Sequence, residues 1–337
     1  MARLAVISNP RSQRNRQGAL AALKAVLAEH PDVPHGEILD FAELGSMVER
    51  LVRSGIEVIA VNGGDGTVQA VLTALGRRPA AEPLPKLAVL SGGMTNVIAK
   101  DVGLEGQPAK ALSRLIASMA APGRAREVTR PLIGLALHPE QPPVYGMFFG
   151  AAGFHQAVKL ANDKVRTRGV AGSLASASTL TLSLFRLLFG RSGADGRSGS
   201  DDPLYRGEPM AIGVDGEQRP ETPYLLLIAT TLDRLILGLR PFWGDDGCAI
   251  RNGRTIRYTS IDFPPKRLAR ALLPVLRGRP AHWMEGEGYR SGSASTMTID
   301  IKSPVVLDGE IFHPDPAAPV CLTGDRSQTF ITGGRIA

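Results

Sequence analysis

The sequence holds two short stretches in which acids and glycines are spaced for phosphate chemistry. The first is Gly63-Gly64-Asp65-Gly66-Thr67. Glycines let the backbone take positive φ and come close to a ligand. A helix opening just behind them adds N–H groups and a partial positive charge, which suits a phosphate. Asp65 alone would repel that phosphate, so its presence fits a divalent cation bridging the two. The second stretch is Val305-Val306-Leu307-Asp308-Gly309-Glu310. Here an apolar strand delivers two acids at i and i+2, which share a face if the strand stays regular. One can take a proton while the other holds or orients a metal or a water. The competing reading is a type I′ hairpin around Asp308-Gly309. His155, beside a glycine bend, offers a further base, although a lone histidine there is more often packed or solvated.

Residues 56–61 form an apolar, β-branched run, as expected of a strand buried on both faces. The run stops at Gly63, and a helical pattern follows with Val68, Val71, Leu72 and Leu75 on one side. The same alternation recurs along the first third of the chain. Leu4–Ile7 reads as a strand leading into the turn Ser8-Asn9-Pro10-Arg11-Ser12 and a helix with Leu20, Leu23, Val26 and Leu27 inward. Residues 37–39 read as a strand and 42–54 as a helix. Lys86–Leu90 reads as a strand entering Ser91-Gly92-Gly93-Met94-Thr95-Asn96 and another helix, with a last helix within 104–125. Strand and helix in alternation predict a parallel sheet covered on both faces. Its ligand crevice lies at the carboxyl ends of the strands, where the turns at 8–12, 63–67 and 91–96 converge.

From about residue 126 the pattern changes to extended segments, among them 144–149, 224–229, 255–258, 296–301 and 329–331. Several alternate apolar and polar residues, as one-sided antiparallel strands do. The expected organisation is an α/β nucleotide-binding domain over 1–127 and a mainly antiparallel β domain over 128–337. The second domain reads as a sandwich or open barrel, and its last strand is free to return to the first.

The chain has 337 residues, 43% hydrophobic and 21% charged, with a net charge of +7. That balance favours anionic partners: a nucleotide, a nucleic acid or an anionic lipid surface. Aromatic residues make up 5%, too few for base-stacking platforms, so nucleic acid is disfavoured. Cys248 and Cys321 lie far apart and match neither a metal cluster nor a disulfide framework, which points to a reducing compartment. Met1-Ala2-Arg3 leads straight into a strand-like run with no leader pattern. No apolar run reaches the roughly 18 residues of a spanning helix. Lys159, Lys164, Arg166, Arg168, Arg186 and Arg191 flank the apolar run at 180–189. That segment reads as a core helix or as a helix lying on an anionic membrane. Residues 190–202 read as a loop. The expected setting is cytoplasmic, peripheral at the inner membrane face.

These motifs carry a family resemblance. Gly63–Thr67 resembles the nucleotide loop shared by diacylglycerol kinases, sphingosine and ceramide kinases, NAD kinases and, more loosely, phosphofructokinases. Asn9-Pro10-Arg11-Ser12 resembles the Asn-Pro-x-Ser-Gly turn that contacts the nucleotide in lipid kinases, with Gln13 where the glycine is expected. Residues 91–99 resemble the lipid-kinase stretch Pro-Leu-Gly-Thr-x-Asn-Asp-Phe-Ala through Gly93, Asn96 and Ala99. Met94 stands where a threonine would face the nucleotide, Val97 where an aspartate is common, and Thr95 offers a hydroxyl one position on. Residues 148–155 resemble the glycine-rich segment just after the domain crossing. Gly244-Asp245-Asp246-Gly247 resembles an element that contributes to a structural Mg²⁺ site, with a plain hairpin turn as the alternative. Asp308-Gly309-Glu310 resembles the Asp-Gly-Glu of diacylglycerol and sphingoid kinases. The Asn-Glu pair expected of NAD kinases is missing, and the β-rich second half disfavours phosphofructokinase.

The resemblance implies an ATP-dependent lipid kinase that phosphorylates a hydroxyl of a diacylglycerol-, ceramide- or sphingoid-type lipid. It assigns the phosphate cradle to Gly63, Gly64, Gly66 and Thr67 with help from Asn9 and Ser12. Met94, Thr95 and Asn96 line the nucleotide edge. Asp65 acts through Mg²⁺, Asp245 and Asp246 hold a second cation, and Asp308 or Glu310 serves the acceptor hydroxyl. The implied partners are ATP, the lipid and an anionic membrane surface, with a homodimer admitted. The alternative is a non-catalytic nucleotide-binding regulator of the same fold.

Overall fold

The computed structural model describes residues 3–120, 126–155, 207–235, 238–244 and 253–333. The basic-flanked run at 180–189, the loop at 190–202, Asp245, Asp246 and Cys248 lie outside the described residues. The chain divides into two compact units, Met1–Arg130 with Arg326–Ala337, and Pro131–Asp325.

In the first unit, β1 (Leu4–Ser8), α1 (Leu20–Ala28), β2 (His35–Glu37), α2 (Leu44–Arg53), β3 (Val58–Gly63), α3 (Asp65–Gly76), β4 (Lys86–Ser91), α4 (Val97–Val102) and α5 (Pro108–Ala120) alternate along the chain. The strands pair in parallel in the order β2-β1-β3-β4. Every residue of β1 and β3 is buried, as their unbroken apolar runs require. Leu4, Val6, Val58, Ala60, Ala88 and Leu90 pack on one face against Leu23 and Leu27 of α1 and Leu112 and Leu115 of α5. Alternate strand residues turn the other way, where α2 packs on α3. Val68, Val71, Leu72 and Leu75 of α3 are all buried, on the stripe their spacing predicts. The register sets Ser8 beside Asn62, and Gly63 beside Ser91, so β1, β3 and β4 end level with one another.

One strand differs from the sequence reading. The ladder of β2 covers residues 35–37 rather than 37–39. Asp40 ends it by capping a 3₁₀ turn at Phe41–Glu43, its carboxylate accepting from the Ala42 amide at 2.9 Å. Leu39 and Phe41 are left 71% and 45% exposed.

The chain passes into the second unit along β5 (Arg126–Ala136), whose first part up to Arg130 belongs to the first unit, and goes on through β6 (Val144–Gly146), β7 (Phe148–Ala152), β8 (Glu208–Val214), β9 (Glu217–Gln218), β10 (Thr222–Thr230), β11 (Ile256–Asp262), α6 (Leu268–Arg277), β12 (Tyr289–Ala294), β13 (Thr296–Asp300), β14 (Val305–Leu307), β15 (Glu310–Phe312) and β16 (Val320–Thr332). The ladders joining β10 to β7, β8 and β11, and β13 to β8 and β16, run antiparallel. Beyond Asp325, β16 belongs to the first unit, where Phe330 pairs in parallel with Leu87. β10 is apolar almost throughout because it is covered on both faces. Leu227 and Ala229 face one core with Phe149, Ile299 and Leu322, while Leu226 and Ile228 face another with Leu268, Ala271 and Val275 of α6. Among the described residues, no helix is long and apolar enough to cross a membrane.

Candidate functional site

The three polar turns interlock at the carboxyl edge of the parallel sheet. The Asn9 amide donates to the Asn62 carbonyl at 2.9 Å, and the Gly92 amide to the Gly63 carbonyl at 3.0 Å. Asn9 Nδ2 donates to Thr67 Oγ at 2.9 Å, tying the first turn to the first turn of α3. Ser12 is half-buried and joins the first turn through its amide, which donates to the Asn9 carbonyl at 3.2 Å. Gly93 packs directly on Gly64: a methyl group on Gly93 would collide with Gly64 Cα and come within 2.9 Å of Asn96 Oδ1. Gly92 is equally confined, with Asn62 Oδ1 at 2.7 Å and the Gly63 amide nitrogen at 2.9 Å from where its Cβ would stand. The glycine pairs therefore let two loops touch backbone to backbone, beyond any service to a ligand. Behind them starts α3, whose first N–H groups find no partner within the helix itself.

Asp65 is tied into the fold from both sides. The residue is half-buried, and its two carboxylate oxygens accept from the Val97 and Ile98 amides, each at 3.0 Å. It thus caps α4 from another loop, satisfying amides that the short helix leaves open. Burial pushes its carboxyl above the ordinary range, against the amides of Val97, Ile98 and Asn96 and the charge of Lys100. Asn96 also serves the turn. In left-handed conformation, it accepts from the Gly93 amide at 3.0 Å and donates back to the Gly93 carbonyl at 2.8 Å. Met94 and Thr95 beside it are half-buried.

Two cations that motif reading left unassigned stand at this edge. Arg14 donates through its guanidinium to the Ser91 carbonyl at 3.1 Å and through its amide to the Gly92 carbonyl at 3.1 Å. Lys100 sits close enough to feel both Asp65 and Arg14. Partial burial lowers its ammonium below the usual lysine range, Asp65 raises it, and Arg14 lowers it again. The buried oxygens Asn15 Oδ1 and Asn62 Oδ1 find no donor among the described residues, although both amide groups point their nitrogens into the turn network. The signal for Arg14 was its place two residues past the turn at 8–12; for Asn15 and Asn62 there was none, since asparagine at a strand end is common.

These features fit a phosphate-bearing ligand: a helix start, two cations and acceptors awaiting a hydroxyl or a water. They do not fit a metal held by the protein. Among the described residues no three His, Cys, Asp or Glu side chains gather into a set that could hold one. Both oxygens of Asp65 are already engaged. The Asp245 and Asp246 assignment lies outside the described residues.

In the second unit, Asp308 and Glu310 do not share a strand face. Leu307 pairs with Glu310 across a two-residue turn, with φ of 49° at Asp308 and 92° at Gly309, the positive values of a type I′ hairpin. Asp308 is buried and folds back, its carboxylate accepting from the Met147 and Phe148 amides, each at 2.9 Å. Glu310 starts the next strand and is exposed. His155 is buried.

Residues 3–127 match the family model described as diacylglycerol kinase catalytic domain. Over 74 residues the chain is 36% identical to the protein named Probable lipid kinase YegS-like from Enterobacter sp. (strain 638). That stretch is 22% of this chain and 24% of the relative, so the match spans about a quarter of the relative's length. A solved structure from Bacillus anthracis str. Sterne has a TM-score of 0.66 at 17% identity, covering 98% of this chain and 96% of its own. A diacylglycerol kinase structure from the same organism scores 0.60 at 16% identity, with 98% and 96% covered. Both show a shared fold: an N-terminal α/β domain with a parallel sheet, followed by an antiparallel strand-rich domain. Residues 3–127 thus resemble a diacylglycerol kinase catalytic domain, and the chain as a whole shares the fold of the two Bacillus anthracis structures.

Proposed function

We propose that the chain is an ATP-dependent lipid kinase that transfers the γ-phosphoryl group to a hydroxyl of a diacylglycerol-, ceramide- or sphingoid-type lipid. The observation that carries this reading is the interlock of three turns around the start of α3, with Arg14 and Lys100 beside it. Phosphoryl transfer asks the protein chiefly for positioning and neutralised charge. The amides opening α3 at Gly64, Asp65 and Gly66 receive phosphate oxygens, and Thr67, Asn9 and Ser12 fix the loop that presents them. Arg14 and Lys100 supply positive charge. Mg²⁺ enters with the nucleotide as part of the substrate. Asp65 holds the 63–67 and 91–96 turns in register, and Asn96 shapes the latter.

The lipid hydroxyl attacks the γ-phosphorus, the bond to the bridging oxygen of ADP breaks, and the hydroxyl proton passes to a carboxylate. Of the two acids named for that step, Glu310 is the exposed one, while Asp308 is committed to backbone amides. The acceptor comes from a membrane, which agrees with a basic chain acting peripherally at a cytoplasmic face. A second reading, a nucleotide-binding protein without turnover, draws on Met94 in place of a hydroxyl residue and on the engagement of Asp308. Radiolabelled ATP offered with a lipid panel separates the two: labelled lipid supports the kinase, and ATP binding without labelled lipid supports the regulator.

A further inference from the structure

The second unit carries a basic face with an apolar knob at its centre. The segment 263–284 contains Lys266, Arg267, Arg270, Arg277 and Arg279, and no aspartate or glutamate. Its helix, α6, buries Leu268, Ala271 and Val275 in the core beneath. That packing fixes which side faces out. Arg270, Leu273 and Arg277 are spaced i, i+3 and i+7, so they form one outward stripe, and all three are exposed. Lys266, exposed just before the helix, is held there by its carbonyl, which accepts from the Tyr289 hydroxyl at 2.6 Å. Arg267 is neutralised by Glu287 at 3.3 Å and lies over the Trp283 ring, so it is not part of the free charge. Lys266, Arg270 and Arg277 have no ion pair among the described residues.

Leu273 is 53% exposed in the middle of this stripe. Among the described residues the other exposed large apolar side chains are Leu39 and Phe41. A leucine among cations that have no ion pair among the described residues is poor design for water and good design for the boundary of an anionic bilayer. There the cations meet lipid phosphates and carboxylates and the leucine enters the acyl region. Nucleic acid would use the cations but has no place for Leu273, and the nearby Trp283 is engaged edge-on with Tyr289, not offered for stacking.

We infer that the outer face of α6, with Lys266, Arg270, Arg277 and Leu273, is the surface by which this chain docks on an anionic lipid bilayer. The inference is independent of phosphoryl transfer. A chain that binds vesicles yet labels no lipid refutes the kinase reading and leaves this surface standing.

The test is co-sedimentation of the full chain, without nucleotide or acceptor, with vesicles of phosphatidylcholine alone or with one third phosphatidylserine. The wild type binds the anionic vesicles and not the neutral ones. Each cation near such a surface is worth about fivefold in partitioning, so Lys266→Gln/Arg270→Gln/Arg277→Gln loses roughly 100-fold. Leu273→Ser alone weakens binding severalfold, with an unchanged melting temperature for both variants because the changed side chains are exposed. The inference is overturned if the wild type ignores the anionic vesicles, or if either variant binds as the wild type does. It is also overturned if binding is lost only on changing Lys164, Arg166 and Arg168. Equal binding to a DNA duplex that needs the three cations and not Leu273 would move the surface to nucleic acid and refute the lipid assignment.

Discussion

The site's acids and glycines serve the architecture as much as the chemistry. Gly93 lies so close to Gly64 that Gly93→Ala must drive the two turns apart. The expected cost is about 1–3 kcal/mol of stability, together with loss of nucleotide binding measured by calorimetry. Wild-type affinity in a folded Gly93→Ala chain would place the nucleotide elsewhere. Asp65→Asn leaves one of the Val97 and Ile98 amides without its acceptor. It should lower the melting temperature as well as turnover, where a residue working only through a metal would leave stability alone. The hairpin acids should separate in the same way. Asp308→Asn strips an acceptor from a buried pair of amides and should cost about 1–3 kcal/mol. Glu310→Gln should leave the melting curve unmoved and reduce turnover roughly 10²–10⁴-fold. If Glu310→Gln turns over normally, the exposed acid takes no proton from the acceptor.

Strands and helices were legible where one physical signal dominated. The apolar runs at 4–7, 58–61 and 86–90 are strands because both faces are covered, and the stripe from Val68 to Leu75 is buried as its spacing demands. The shift of β2 was hidden because Ile38 and Leu39 look like strand while the Asp40 cap, a two-residue hydrogen bond, ends the ladder before them. Convergence of the three turns followed from strand-end logic, but the jobs of Asp65 and Asp308 did not. Their partner amides lie 32 and 161 residues away in sequence, and no local pattern announces such a contact. β2 also carries a pH-sensitive link to the site, His35 Nε2 lying 2.9 Å from Ser8 Oγ, which in turn accepts from Asn62 Nδ2. Burial lowers the His35 pKa below 6.5, Glu37 opposing and Lys24 assisting. A histidine whose folded pKa lies below its unfolded one binds fewer protons when folded. Its contribution is therefore present above about pH 6.5 and lost as pH falls through the folded value. The wild type should lose melting temperature faster than His35→Gln on going from pH 7 to about 5. Parallel curves would show that His35 does not titrate against the fold.

The molecule as a whole joins a parallel-sheet unit bearing an anion-ready edge to an antiparallel unit bearing an exposed acid and a basic helix, under a net charge of +7. Such a charge draws the chain to anionic surfaces, and the attraction is screened within about 10 Å at 0.1 M salt. Turnover on anionic vesicles should therefore fall as salt is added, and a salt-independent rate would detach charge from substrate access. The central claim is the transfer itself. Its most direct measurement is incubation of the purified full chain with radiolabelled ATP, Mg²⁺ and vesicles containing diacylglycerol, ceramide or a sphingoid base, followed by extraction into organic solvent. The account predicts a labelled lipid with at least one acceptor, absent with Gly93→Ala and strongly reduced with Glu310→Gln. ATP bound by the wild type with no label in any lipid would contradict it.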